Sequence, residues 1–138
     1  MKYKRDITTV EEISSLEPET LNHVLSEIGY DPSAGDFFFI KSDPNKVHII
    51  ENVDPENRSV LYYNDGKTIN VDETLPLFSA GTLIQILGVH QSVDLRDMKG
   101  SWLLIFDDRK VIESEDGELL VSFLWRALQI LVAENILE

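Results

Sequence analysis

Cysteine is absent from the 138 residues. That excludes disulfide frameworks, zinc–thiolate centres and thiol catalysis together, and it suits a cytoplasmic setting. Basic residues are scarce: 12 Lys and Arg against 25 Asp and Glu leave a formal net charge of −13. Charge of that sign repels phosphate backbones and anionic membrane surfaces, so neither nucleic acid nor a bilayer is an expected partner. A protein partner with a basic surface fits better. An apolar leader is also lacking. The basic start Met1-Lys2-Tyr3-Lys4-Arg5-Asp6 runs into Ile7-Thr8-Thr9-Val10-Glu11-Glu12, so no signal peptide is expected. The most apolar stretch, Leu119 to Leu137, contains Arg126, Gln129, Glu134 and Asn135, which argues against a bilayer anchor.

What is present is enough to fold. The apolar fraction is 43%, spread along the whole length, and 138 residues is an ordinary size for one domain. No repeat, linker or low-complexity run divides the chain. The expectation is a single α+β domain in three parts: a helical lead-in over 1–34, a β meander over 35–77, and a short helix, a β hairpin and a long helix over 78–138.

Thr9-Val10-Glu11-Glu12 has the form of a capping box opening a short helix to about Leu16. Pro18 starts a second helix, whose Leu21, Val24, Leu25 and Ile28 fall on one face. Gly29 and Asp31-Pro32 stop it. Four strands follow in the reading: Asp36 to Lys41, Val47 to Val53, Ser59 to Asn64 and Thr68 to Asp72. Their turns fall at Ser42 to Asn45, Asp54 to Asn57 and Asp65-Gly66. In the second strand Val47, Ile49 and Val53 are expected on one face, with His48 and Asn52 on the other. Pro76 closes the meander, and no fifth strand is evident. Ser79 caps a helix over Ala80 to Leu87 that Gly88 ends. Gln91 to Gly100 reads as a loop. Ser101 to Phe106 is apolar on both faces and reads as a strand covered on both sides, turning at Asp107 to Lys110 into a partner at Val111 to Ser114.

The final helix is the most informative element. Glu115, Asp116 and Glu118 precede it, where a helix dipole favours negative charge. Its polar positions, Ser122, Arg126 and Gln129, continue through Ala133 as one narrow stripe, and nearly everything else is large and apolar. A surface helix has only one apolar face. This one must be the spine of the domain or be covered in part by a second subunit, so a homodimer through the C-terminal helix is an expectation. Burying its dozen large side chains is worth roughly 20–35 kcal/mol gross.

No catalytic constellation emerges. Leu103 to Asp108 has the look of a strand ending in magnesium-holding acids, and Gly66-Lys67-Thr68 the look of a phosphate-loop end. The earlier glycine such a loop needs is missing, since position 61 is Leu61. The acids Asp94/Asp97, Asp107/Asp108 and Glu113/Glu115/Asp116/Glu118 are candidates for a divalent cation, but none has a calcium-loop spacing. His23, His48 and His90 are far apart, and no Gly-x-Ser-x-Gly elbow exists. No cofactor is implied. The first two helices lack the basic face of a DNA-reading pair. The sharper candidate is aromatic. Phe37, Phe38, Phe39, Tyr62 and Tyr63, with Asp36 and Asp65, are the materials of a cation-holding cage. Alternation, however, sends Phe37 and Phe39 to one face and Phe38 to the other. The residues singled out as ligand or partner candidates are Phe37, Phe39, Tyr62, Asp65, Asp107 and Asp108.

Gly35-Asp36, Val47 to Asp54, Ser59 to Gly66 and Val71 have a strand-and-turn rhythm that resembles small SH3-like or Tudor-like barrels over residues 35–77. That resemblance implies binding of peptides or modified tails. Leu75-Pro76-Leu77, the Trp102 strand and Leu119 to Trp125 are similar in pattern to small phage and mobile-element proteins, which implies no activity. The function read from the sequence is a non-enzymatic, acidic protein-interaction or regulatory module of phage-related type. The alternative is a divalent-metal-dependent enzyme using an acidic cluster.

Overall fold

The computed structural model describes residues 6–90, 92–107 and 110–136. The lead-in forms as read. Helix α1 (Val10–Ser14) opens on a full capping box: the Glu12 amide donates to Thr9 Oγ1 at 3.1 Å, and the Thr9 amide donates to Glu12 Oε1 at 2.8 Å. Helix α2 (Pro18–Glu27) has proline in its first turn, where the missing N–H costs nothing. It buries Leu21 and Val24 and leaves Leu25 half-exposed. Gly29, at φ +66°, turns the chain out through the left-handed region that glycine enters without steric penalty.

Among the described residues, nine strands form three antiparallel three-stranded sheets, and these do not close into a barrel. The first sheet has the order β2-β1-β6, built from β1 (Phe37–Ile40), β2 (Asp43–Ile49) and β6 (Thr74–Leu77). The second runs β3 (Asn52–Val53), β4 (Val60–Tyr63), β5 (Lys67–Asn70), and the third runs β7 (Val93–Asp97), β8 (Trp102–Phe106), β9 (Lys110–Glu113). The expected meander is therefore two sheets rather than one.

Several expectations change with it. The turn read at Ser42 to Asn45 is tighter, and Pro44 lies inside edge strand β2, a place where its missing N–H is tolerated. The strand read over Val47 to Val53 breaks at Ile50-Glu51, so its residues do not share one face: Val47 and Ile49 are exposed and His48 half-buried, whereas beyond the break Val53 is buried and Asn52 exposed. The last meander strand ends at Asn70 and gives way to a 3-10 turn, Val71–Glu73. A further strand, β6, then pairs with β1 along Phe37↔Leu77 to Ile40↔Thr74. Helix α3 (Ala80–His90) runs past Gly88, and Ser79 caps it as expected, Oγ accepting from the Thr82 amide at 3.1 Å. The segment read as a loop from Gln91 contains strand β7, paired along its whole length with β8; Gln91 itself lies outside the described residues. In β8 only Leu104 and Phe106 are buried, while Trp102 on their face and Leu103 and Ile105 on the other are half-buried, so neither face is covered along its whole length.

Helix α4 (Leu120–Ala133) is the spine. Val121, Phe123, Leu124, Trp125, Ala127, Leu128, Leu131 and Val132 are all buried, against α2, α3 and β8. Leu119 is its N-cap and partly exposed, and Leu137 lies outside the described residues. The acids before it do not cap it. Instead Glu118 takes two hydrogen bonds from Arg126, at 2.8 and 2.9 Å. The helix's own chain covers most of its circumference.

The apolar residues gather in two clusters. The main one joins α1, α2, α3, α4, β8, β9 and the Phe39 face of β1. The smaller holds only Phe38, Ile50, Val53 and Leu61. Strand alternation in Phe37-Phe38-Phe39 causes the division: Phe39, with Phe37 beside it, enters the main core, and Phe38 enters the other.

Candidate functional site

Where the two cores meet without merging, a groove of about 610 Å³ opens. That is within the range of ligand and peptide clefts. One wall is α2, through Asn22, Leu25 and Ser26, together with Tyr30 and Pro32 of the loop behind it. The floor and far wall come from Phe38, Ile50 and Leu61 of the small core, from Val71 and Asp72, and from Thr74, Leu75 and Pro76 of β6. Lys41 stands at the end of β1. Local chemistry places each of these. Leu25 is on the edge of the α2 stripe, where the main core leaves it half-covered. Pro76, paired with Phe38 across β1, sits on an edge strand whose free side needs no donor. Thr74 turns its hydroxyl inward to the Val71 carbonyl at 2.8 Å, which satisfies it and keeps the wall apolar.

Tyr30 is the polar body of the groove. Its ring meets Phe78 edge to face at 5.5 Å. Burial pushes its phenol well above the usual tyrosine range, and the carboxylates of Asp36 and Asp31 add to the rise. It therefore stays protonated and is a hydrogen-bond donor at neutral pH. Three carboxylates stand at or near the groove, Asp72 in its lining and Asp31 and Asp36 acting on Tyr30, with Lys41 also in the lining. Arg58 reaches from the turn between β3 and β4 to Asp31 Oδ2 and to the Pro32 carbonyl, each at 3.2 Å. Nothing in this arrangement pairs a nucleophile with a base. It can enclose an apolar side chain and receive a cation.

The residues singled out from the sequence do not come together. Phe37 and Phe39 belong to the main core. Tyr62 donates its hydroxyl to Asp54 Oδ2 at 3.0 Å. The Glu56 amide and the Tyr62 hydroxyl hold the Asp54 carboxyl below the usual carboxylate range, and Asp54 raises the Tyr62 phenol in return. Asp65 is exposed at the tip of the β4–β5 hairpin, a three-residue loop in which Asn64, Asp65 and Gly66 all have positive φ. Glu51 closes that loop from below, its carboxylate accepting from the Asp65 and Gly66 amides at 3.1 and 3.2 Å. Asp107 is half-buried after β8, with its amide bonded to the Ser92 carbonyl at 2.7 Å, and Asp108 lies outside the described residues. The aromatic group that does form is Phe38, His48 and Tyr63, with ring centres 4.9–5.5 Å apart. Of these only Phe38 reaches the groove.

Among the described residues no three His, Asp or Glu side chains converge as a metal site would need. Among them, too, no helix is long and apolar enough to cross a membrane. Sequence reasoning missed Leu25, Tyr30, Lys41, Arg58 and Asp72 as neighbours, because they lie on four separate segments, Leu25 and Tyr30 sharing the end of α2. The one local signal was the fourth apolar position on α2, Leu25, which makes the stripe wider than the core requires. Compared with protein-family models, curated proteins and solved structures, the chain matches none of them.

Proposed function

We propose that this chain is a non-enzymatic protein-interaction module that takes an apolar segment of a basic partner protein into the groove beside α2. The carrying observation is the groove itself: about 610 Å³ of cleft in a chain of net charge −13, with an apolar floor of Phe38, Ile50 and Leu61 and polar residues among its walls. Each partner side chain of leucine or phenylalanine size buried there contributes about 1.5–3 kcal/mol. The surrounding carboxylates accelerate encounter with a basic surface and disfavour acidic competitors. The turn rhythm of residues 35–77, which resembles peptide-binding small barrels, leans the same way; the pattern over residues 75–125 points to a phage or mobile-element origin and to no activity. The lack of cysteine supports a cytoplasmic place of action. Self-association through α4 has less to recommend it, because that helix packs its apolar faces on its own chain.

The test is selection from a random-peptide display library on the wild-type chain, counter-selected on Ser26→Trp, which fills the groove from an exposed helix position. Enriched clones should combine large apolar residues with Lys or Arg and lose binding to Ser26→Trp. A selection yielding only clones that bind both forms equally would overturn the proposal.

A further inference from the structure

Resting on that reading of the groove, we infer that Arg58 is an exchangeable latch at its mouth, standing where a lysine or arginine of the partner would sit. Arg58 belongs to the second-sheet side of the seam. Asp31 and Pro32 belong to the loop behind α2, and Pro32 lines the groove. The contact therefore ties the second-sheet side to the loop behind α2, and its acceptors are a carboxylate and the carbonyl of Pro32, a residue that lines the groove.

Its geometry is that of a contact made to be replaced. Both bonds come from one nitrogen, Nη2, at 3.2 Å each, so the planar fork is not engaged. Arg126 shows the committed form in the same molecule: Nε and Nη2 together hold Glu118 at 2.9 and 2.8 Å, and those side chains are only 33% and 14% exposed. The Arg58 and Asp31 side chains are 54% and 69% exposed, so water and ions compete for both. When Arg58 swings away, Asp31 and the Pro32 carbonyl remain beside the Tyr30 ring, next to the apolar trough that receives the partner's anchor. A partner cation adjacent to that anchor takes over the same two acceptors. Peptides lacking such a cation leave the latch in place and gain nothing from it.

The experiment uses two labelled peptides, Arg-Leu-Arg-Phe-Arg-Leu-Arg and its counterpart with glutamine for every arginine. Binding to the full chain is followed by fluorescence anisotropy at fixed ionic strength. Arg58→Gln should tighten the arginine peptide about two- to fivefold, the exchange worth of one exposed ion pair. Arg96→Gln is the matched control. It makes the same charge change and breaks an equally exposed pair with Asp94, 2.8 Å on the third sheet, so it should leave both affinities unchanged. Asp31→Asn should weaken the arginine peptide and not the glutamine one. Equal effects of Arg58→Gln and Arg96→Gln would overturn the latch in favour of bulk charge. Weaker binding of both peptides to Arg58→Gln would make Arg58 a brace for the groove wall, overturning the latch while the groove stands as the binding site. If the wild-type chain binds neither peptide, or Ser26→Trp binds both as well as wild type does, the groove reading fails and the latch with it.

Discussion

Replacing Leu128 by alanine tests whether α4 is the spine of the fold. Leu128 is wholly buried, next to the equally buried Ala127, in the cluster that joins α1 through α4 to β8 and β9. The change deletes three carbons, which at about 0.8 kcal/mol each is about 2.4 kcal/mol of transfer free energy. A helix packed on several sides cannot collapse into the void, so a cavity cost adds to this, and the total should be about 3–5 kcal/mol. That is a large part of the 5–15 kcal/mol that a domain typically holds. Urea unfolding followed by tryptophan emission measures it directly, because Trp125 is buried and stacked on Phe78 at 5.3 Å. Val111→Ala is the companion measurement: Val111 is 59% exposed on edge strand β9 and should change stability by no more than about 0.5 kcal/mol. A Leu128→Ala loss below about 1 kcal/mol would refute the enclosure of α4.

Two further outcomes follow from buried and half-buried polar groups. Hydrogen bonds from Arg126 hold the Glu118 carboxyl below the usual range, so this pair adds stability at neutral pH that is lost as pH falls through the depressed value of the folded state. Glu118→Gln should cost about 1–3 kcal/mol at neutral pH and flatten the acid side of a stability–pH curve, read by urea melts across the pH series; an unchanged curve would show the pair to be idle. Trp125→Phe should cost less than about 1 kcal/mol by circular-dichroism melts, despite the lost volume. It removes an indole N–H that is buried without a partner, whose desolvation carries a penalty of about 1–3 kcal/mol. A loss above about 3 kcal/mol would mean that the N–H is satisfied in solution.

Local chemistry made the helices readable. The capping bonds of Thr9 and Glu12 close within one turn, and that of Ser79 does the same for α3, so four consecutive residues carry the signal. The β4–β5 hairpin was readable for a similar reason, because Asp65-Gly66 tolerates positive φ, although its loop has three residues rather than two. Strands β6 and β7 were not readable. Thr74-Leu75-Pro76-Leu77 has little strand character of its own and becomes a strand through its partner β1, whereas Val93-Asp94-Leu95-Arg96 does alternate, a pattern too short among polar neighbours to stand out before β8 pairs with it. His48 shows the same dependence. Alternation grouped Val47 and Ile49 with Val53 on one face, but the ring contacts of His48 with Phe38 and Tyr63 turn that side inward and leave Val47 and Ile49 exposed, while Val53 is buried.

The amino-acid order by itself determined the α+β class, the acidic surface, the capped helices and the near-total burial of the last helix, because each depends on residues close in sequence or on composition. Alternation set Phe38 and Phe39 on opposite faces, but tertiary structure alone decided that the meander divides into two sheets, that those faces meet separate cores, and that a groove lies between them. Those outcomes depend on which distant segments share a surface. Hydrophobic attraction has no direction of its own, so the pattern shows which side chains will be buried without showing which of them will be buried together.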